Sequence, residues 1–264
     1  MGKVIGFSHV AVKSDRFEEA FRFYTEGLGL HCSVKGDQSA VLVIPDGTVV
    51  EVFGGGETVH NTAGCTHFCL NAYNVHAAMA RAVEYGATVK TEVYPLGGLR
   101  IGFVVAPTGE EVEFWDIDAK GDEPACDENG CYIKTFVHPA FTVADMEASV
   151  KFYEALGMRR KVDWDGGCSM VMDDNREIEI FAGGYVCDNT SGISHVCFNV
   201  DNMEEALEAA VAAGGEITNM PNWSENFRFA FFRGISGEII EFFQMYPEKE
   251  GTMFRVPDIG PAIK

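Results

Sequence analysis

Four histidines and four glutamates recur along this 264-residue chain at spacings that could assemble metal sites. Each histidine stands in a run of β-branched and aromatic residues, and each glutamate stands between apolar neighbours in a later run of the same kind. These residues are His9, His67, His138 and His195, and Glu51, Glu113, Glu179 and Glu241. Imidazole nitrogen and carboxylate oxygen together suit divalent transition metals, so the pattern predicts metal binding.

The spacing of these residues indicates an internal repeat. The interval from His9 to His67 is almost the same as the interval from His138 to His195. A longer interval relates the two halves of the chain, and it is identical for the glutamates, from Glu51 to Glu179 and from Glu113 to Glu241. A fixed period is typical of repeated structural units. We interpret the chain as two tandem homologous halves, each made of two quarter-units.

Each quarter-unit has the same predicted order of elements. A strand with the histidine is followed by a helix that ends at glycine, and three strands follow, the last with the glutamate. This order predicts an α+β fold of four βαβββ units that form two domains with cupped mixed sheets. The predicted divisions are residues 1–118 for the first domain, 119–131 for a polar linker, 132–246 for the second domain and 247–264 for a tail.

A single histidine or glutamate on a strand is weak evidence for a site. A half-exposed strand often has a glutamate, and a strand histidine is more often a hydrogen-bonded core residue than a ligand. Glu111 and Glu177 share a strand face with Glu113 and Glu179, so the choice within each pair depends on the repeat register alone. Three further histidines fall outside the repeat and are interpreted as surface or packing residues: His31, His60 and His76.

Charge and composition exclude several partners. The chain has 20 Lys and Arg against 40 Asp and Glu, and the formal net charge of −20 disfavours nucleic acid and anionic membrane surfaces. No apolar run is long enough to span a bilayer, and no signal-peptide pattern is present, so we expect a cytoplasmic protein. Eight cysteines in a chain of this size predict reduced thiols, and the spacing of Cys126 and Cys131 matches zinc or redox motifs only loosely.

Two local motifs, together with the four βαβββ units, resemble the vicinal oxygen chelate superfamily over about residues 4–245. The first is a helix that runs through Phe-Tyr into Leu-Gly, at Phe23 to Gly29 and again at Phe152 to Gly157. The second is the final hairpin, Pro107 to Glu113. This superfamily includes glyoxalase I, methylmalonyl-CoA epimerase, extradiol dioxygenases, and fosfomycin and bleomycin resistance proteins.

The resemblance implies that two quarter-units form one cupped sheet with a metal inside. The chain has enough ligands for two complete sites, and the sequence leaves open which units pair. One site could form from His9, Glu51, His67 and Glu113, or His9 and Glu51 could join His195 and Glu241 across the halves. Mixed nitrogen and oxygen ligands favour nickel, cobalt or zinc as the bound metal, and manganese or iron is also compatible.

Four ligands in both halves most resemble glyoxalase I and the epimerases. In that branch the glutamate of the second unit removes a proton next to a carbonyl, which makes Glu113 and Glu241 the catalytic candidates. The chain departs from bacterial-type glyoxalase I where an arginine is replaced by Lys13 and Thr142. The asparagine after the first glutamate is also absent, so glutathione conjugates are only one candidate substrate class.

Three functions therefore follow as hypotheses. The leading one is a metal-dependent lyase or isomerase that acts on a small molecule as a monomer or homodimer. The second is an iron-dependent extradiol ring-cleaving dioxygenase, which needs two histidines and one glutamate. The third is a non-catalytic protein of the resistance type that holds a small molecule between aromatic residues such as Trp115, Trp164 and Trp223.

Overall fold

A computed structural model describes residues 2–55, 64–116, 130–183, 192–223 and 226–245. All but the last two residues of the predicted linker, and the whole of the predicted tail, lie outside this part of the chain, as do His60, Cys126 and the side chain of Trp223. The domain divisions drawn from the sequence therefore remain a prediction.

The described residues of the first half form eight strands, two α-helices and one π-helical turn. The strands are β1 (Val4–Lys13), β2 (His31–Lys35), β3 (Ser39–Val43), β4 (Val49–Phe53), β5 (Gly64–Ala72), β6 (Thr88–Leu96), β7 (Leu99–Val105) and β8 (Glu111–Asp116). The helices are α1 (Phe17–Arg22), which continues into the π-helical turn Phe23–Gly27, and α2 (Val75–Glu84).

The second half repeats this order. Its strands are β9 (Ile133–Val143), β10 (Arg159–Trp164), β11 (Gly167–Val171), β12 (Glu177–Ala182), β13 (Ile193–Val200), β14 (Glu216–Trp223), β15 (Phe227–Arg233) and β16 (Ile239–Met245). Its helices are α3 (Met146–Ala155) and α4 (Met203–Ala212). The predicted α+β fold of four βαβββ units is confirmed.

Three of the helices begin at a residue whose side chain caps the helix. Asn74 accepts a hydrogen bond from the backbone N–H of Ala77, Asp145 from Ala148 and Asn202 from Glu205. Such caps satisfy backbone donors that a helix leaves unpaired at its start. Among the described residues, no helix combines the length and the hydropathy that crossing a membrane requires.

Each half folds into one eight-stranded mixed sheet. The strand order is β2-β3-β4-β1-β5-β8-β7-β6 in the first half and β10-β11-β12-β9-β13-β16-β15-β14 in the second. The two histidine-bearing strands are antiparallel neighbours at the centre, and each glutamate-bearing strand is the parallel neighbour of one of them. The topology therefore brings all four predicted ligands of a half onto adjacent strands.

Two buried tyrosine–glutamate pairs join the halves in a pseudo-symmetric way. The Tyr24 hydroxyl donates to Glu238 Oε1 at 2.6 Å, and the Tyr153 hydroxyl donates to Glu110 Oε1 at 2.8 Å. Both glutamates are at most 1% exposed. A buried carboxyl group is tolerated only when hydrogen-bonded, so these pairs hold the two halves in a defined arrangement.

Aromatic packing and two aspartates complete the same interface. The rings of Phe7 and Phe136 stack with centroids 4.4 Å apart. The backbone N–H of Phe7 donates to Asp174 at 2.8 Å, and that of Phe136 donates to Asp46 at 2.9 Å. The halves therefore share a core.

Candidate metal centres

The strand registers place the predicted ligands of each half in two rows across the sheet. In one row of the second half, Ala140 is the cross-strand partner of both Glu179 and His195. In the other row, Cys197 is the partner of both His138 and Glu241. Neighbouring strands are about 4.8 Å apart, so the two larger side chains of a row can lean together over the small one between them.

The four side chains of each half form one cluster. Centre 1 consists of His9, Glu51, His67 and Glu113, and centre 2 consists of His138, Glu179, His195 and Glu241. The structure thus brings together the eight predicted ligands in two sets, each drawn from a single half. In the structure, His9 and Glu51 do not join His195 and Glu241 across the halves.

Nitrogen and oxygen atoms lie close together in centre 1. Oε2 of Glu113 is 2.9 Å from Nε2 of His9 and 3.1 Å from Nε2 of His67. Nε2 of His9 is also 3.7 Å from Oε2 of Glu51. The ligand atoms of His9, Glu51 and His67 all lie within 4.8 Å of one another.

Centre 2 has the same arrangement with slightly longer separations. Nε2 of His138 is 3.5 Å from Oε2 of Glu179 and 3.4 Å from Oε2 of Glu241. Nε2 of His195 is 3.3 Å from the same oxygen of Glu241. The ligand atoms of His138, Glu179 and His195 also lie within 4.8 Å of one another.

These separations are those expected of atoms that share one metal ion. Ligand atoms about 2.1 Å from a metal lie about 3.0 Å apart at right angles and about 3.4 Å apart in a tetrahedron. Moreover, Nε2 of His67, His138 and His195 is buried and makes no well-aligned hydrogen bond to a described residue, although a carboxylate oxygen lies within 3.5 Å of each. Buried imidazole nitrogens clustered with carboxylate oxygens in this way fit a divalent metal.

Hydroxyl groups next to the histidines orient three of the four rings. The hydroxyl of Ser194 lies 3.2 Å from Nδ1 of His195 and donates to the carbonyl oxygen of Ala140. Thr66 makes the equivalent contact with Nδ1 of His67 at 3.2 Å. A hydroxyl that donates to a carbonyl can accept a hydrogen bond from the Nδ1–H group, and that tautomer leaves the Nε2 lone pair for the centre.

The third hydroxyl belongs to Ser8, which lies 3.4 Å from Nδ1 of His9. Sequence reasoning missed these hydroxyls, although a Ser or Thr precedes three of the four histidines. In the third quarter-unit, Val137 occupies this position before His138. The recurring Ser/Thr-His pair was therefore a signal that the sequence offered.

Electrostatics in both centres favour positive charge next to the carboxylates. Burial raises the pKa of Glu113, but the neighbouring His9 and His67 outweigh burial and lower that pKa to about 2. Burial lowers the pKa of His138, but the carboxylates of Glu179 and Glu241 outweigh burial and raise that pKa to about 9. A pair of buried carboxylates attracts protons or a cation, and a divalent ion meets the same demand.

Two cysteines lie beside the predicted ligands, a feature that the sequence interpretation also missed. The ligand atoms of His9, Cys69 and Glu113 lie within 4.8 Å of one another, and so do those of His138, Cys197 and Glu241. Cys69 and Cys197 are equivalent positions of the two halves, in the register of the repeat. Burial and the neighbouring carboxylate of Glu241 raise the pKa of the Cys197 thiol. In the described part of the chain, the cysteines form no disulfide bond, as the sequence predicted.

Aromatic residues border the second histidine of each centre. The ring of His67 packs between Phe53 and Phe103, with centroids 6.1 and 5.2 Å away. Phe181 and Phe231 border His195 in the same way, at 6.2 and 5.1 Å. These rings give both centres an apolar border.

Trp115 contacts centre 1 directly. Its indole N–H donates to Oε1 of Glu113, and its ring packs against that of His9 with centroids 4.8 Å apart. Trp164, which the sequence grouped with it, packs instead against Phe181.

The competing carboxylates have other partners. Glu111 forms an ion pair with Lys90, and Glu177 forms one with Lys161. The structure therefore places Glu113 and Glu179 beside the histidines, as the repeat register predicted. His31 and His76 are exposed and lie outside both centres.

Comparisons with known proteins agree with this geometry. A family model described as the glyoxalase/bleomycin resistance protein/dioxygenase superfamily matches residues 6–114 and 135–242. Both matches fall within the span over which the sequence resembles the vicinal oxygen chelate proteins. No curated protein sequence matches the chain.

Solved structures with the same fold include enzymes of two kinds. The Mn(II)-bound glyoxalase from Novosphingobium aromaticivorans is 22% identical, with a TM-score of 0.72 over 92% of this chain and 82% of that one. A variant of homoprotocatechuate 2,3-dioxygenase from B. fuscum in complex with HPCA is 16% identical, with a TM-score of 0.73 over 92% and 72%. The dioxygenase from Arthrobacter globiformis is 16% identical, with a TM-score of 0.69 over 92% and 80%. At these identities the likeness concerns the fold.

Proposed function

This chain belongs to the glyoxalase/bleomycin resistance protein/dioxygenase superfamily, and from that premise we propose that it is a metal-dependent lyase or isomerase of the glyoxalase type. In this proposal it moves a proton at a carbon next to a carbonyl of a small substrate. The observation that carries the proposal is the presence of two histidines and two glutamates in each centre. Two carboxylates allow one to stay with the metal while the other accepts a proton.

The proposed ligands are the four side chains of each centre. A mixed set of imidazole nitrogens and carboxylate oxygens favours nickel, cobalt or zinc, and it also accepts manganese or iron. When bound, such a metal supplies a Lewis acid for the substrate carbonyl. Manganese is the metal named for the similar Novosphingobium glyoxalase.

The remaining chemistry is assigned to residues of the chain. Glu113 and Glu241 are the candidate bases, because one carboxylate oxygen of each lies between two histidine nitrogens at the centre. The phenylalanine rings next to His67 and His195 give a bound substrate apolar neighbours, and an apolar surrounding strengthens electrostatic interactions. Ser194 and Thr66 keep the histidines oriented while the proton moves.

The four-ligand sets argue against a ring-cleaving dioxygenase. That chemistry uses two histidines and one carboxylate and needs the opposite positions open for oxygen and substrate. In this chain each centre has a second carboxylate beside its histidines, Glu51 or Glu179, which would fill one of these positions. A binding protein without chemistry has no need for a second carboxylate placed against both histidines.

The test is isotope exchange in metal-loaded protein. Thiol adducts of 2-oxoaldehydes are incubated in D₂O, and exchange at the carbon next to the carbonyl is followed by NMR together with product formation. We expect Glu113→Gln and Glu241→Gln combined to lower turnover at least about 100-fold, since a positioned base contributes that much or more. The control is Glu92→Gln, which changes an exposed glutamate of β6.

Unchanged turnover in the double variant would refute the proposal. Oxygen consumption with a catechol, and no exchange with any 2-oxoaldehyde adduct, would replace it with the dioxygenase. Tight binding of the adduct by protein stripped of metal, with no product, would favour the binding protein.

A further inference from the structure

The two centres differ in what holds the carboxylate assigned as base. Trp115 donates its indole N–H to Oε1 of Glu113, while Oε2 of the same carboxylate faces His9 and His67. Both oxygens of Glu113 are therefore engaged at once. An N–H bond to a carboxylate is charge-assisted and is among the stronger hydrogen bonds in proteins.

The equivalent position of the second half is a phenylalanine. Trp115 and Phe243 each lie two positions after the glutamate of their half, and their strand partners correspond as well, Asn71 for Trp115 and Asn199 for Phe243. A phenyl ring has no N–H to donate. A cysteine lies beside the glutamate in both halves, Cys69 next to Glu113 and Cys197 next to Glu241, and a thiol is a weak donor.

The side chains of the two centres also differ in solvent exposure. Glu113 is 4% exposed and Glu241 is 10% exposed, and His9 is fully buried whereas His138 is 9% exposed. Structural metal sites are closed, and catalytic sites keep an accessible position. The side chains of centre 1 are therefore less exposed than those of centre 2.

We propose that Trp115 locks Glu113 as a permanent ligand of a tight centre 1, and that Glu241 of centre 2 is the exchangeable carboxylate that moves the proton. This inference rests on the proposed function for the proton step alone. The difference in metal affinity follows from the hydrogen bond to Glu113 and holds whatever the substrate is. Outer hydrogen bonds to ligands commonly change metal affinity about 10- to 100-fold.

The affinity is measured by titrating metal-stripped protein with Co²⁺ in a calorimeter. We expect two classes of site that differ by about tenfold or more. In a His195→Ala background, which leaves centre 1 intact, Trp115→Phe should weaken the remaining site by about tenfold or more. Trp164→Phe in the same background is the matched control and should leave the affinity unchanged.

The exchange of side chains provides the reciprocal test. In a His67→Ala background, Phe243→Trp should strengthen Co²⁺ binding at centre 2, because it offers Glu241 an indole N–H. Visible absorption of the bound Co²⁺ reports whether each variant keeps the ligand geometry. Two equal sites in the unchanged protein, or no response to Trp115→Phe in a variant that retains its far-ultraviolet circular dichroism, would overturn the inference.

Turnover measurements distinguish a failure of this inference from a failure of the proposed function. We expect Glu241→Gln to lower turnover much more than Glu113→Gln does, with turnover partly restored when Trp115→Phe is added to Glu241→Gln. The reverse order of the two glutamate variants overturns the assignment of Glu241. If unchanged protein with two unequal cobalt sites turns over no 2-oxoaldehyde adduct, the proposed function fails while the lock on Glu113 stands.

Discussion

Tyr24 and Tyr153 each donate a hydroxyl hydrogen bond across the interface between the halves. Removal of one hydroxyl should lower the free energy of unfolding by a different amount in the Tyr24–Glu238 pair than in the Tyr153–Glu110 pair. Tyr153→Phe leaves Glu110 with the hydroxyl of Thr108, which lies 3.0 and 2.7 Å from its two oxygens. Tyr24→Phe leaves Oε1 of Glu238 without the bond from Tyr24, while Oε2 keeps the backbone N–H of Ser236 at 2.9 Å.

The magnitudes follow from what each carboxyl group retains. A hydrogen bond that is lost where another donor remains costs about 1 kcal/mol, and a buried acceptor left without its donor costs about 2 kcal/mol or more. We therefore expect the free energy of unfolding to fall by about 1 kcal/mol for Tyr153→Phe and by about 2 kcal/mol for Tyr24→Phe.

Urea unfolding of metal-stripped protein measures both values, with the slope of the transition checked for constancy. The control is Tyr73→Phe, because Tyr73 is 65% exposed and its substitution should change stability by less than about 0.5 kcal/mol. Equal losses for the two interface variants, or a larger loss for Tyr153→Phe, would refute this account of the interface.

Two other measurements address the buried acids and the thiol. Burial raises the pKa of Glu110 and of Glu238 above 4.5 in the folded protein, so above pH 4.5 the unfolded chain loses these protons first and stability falls as pH rises. Glu110→Gln and Glu238→Gln should flatten this fall in urea titrations between pH 4.5 and 7, and an unchanged slope would contradict the assignment. Cys197→Ala should weaken cobalt binding about tenfold, because it removes a thiol that can donate to Glu241. Cys197→Ser keeps a donor and should lose less cobalt affinity. Equal losses of affinity in a calorimetric titration would show that the thiol does not position the carboxylate.

Most of the predicted site residues were identified from the repeat interval. A single interval relates Glu113 to Glu241 and His67 to His195, and a shared period requires that such residues occupy the same place in equivalent folds. The same register favoured Glu113 over Glu111. The structure places Glu113 beside His67 because the strands that contain them, β8 and β5, are neighbours in the sheet.

The pairing of the quarter-units could not be read from the spacing. A histidine and a glutamate from any two quarter-units satisfy the repeat, so the choice depends on strand order at the centre of each sheet. The structure shows that β1 pairs with β5 and β9 with β13. The tyrosines Tyr24 and Tyr153 and the glutamates Glu110 and Glu238 also recur at the repeat interval, but the interval does not show that a tyrosine of one half contacts a glutamate of the other.

The roles of supporting residues were missed for a different reason. Ser194 and Cys197 flank His195 in the sequence, but their effect depends on which atom each side chain faces. Trp115 was noted only as an aromatic residue, because its bond to Glu113 arises from the rotamers of both side chains. The types and the spacing of residues identify the candidate metal ligands. The orientations of neighbouring side chains determine which of them contact those ligands, and the sequence does not give these orientations.

The central claim is that each half of the chain encloses a complete metal centre of its own. Elemental analysis after reconstitution of metal-stripped protein with Co²⁺ or Mn²⁺ tests it most directly. We predict two metal ions per chain in the unchanged protein and one in the His9→Ala, His67→Ala double variant. Fewer than two ions per chain in the unchanged protein, or loss of both ions when only the first half is altered, would contradict the claim.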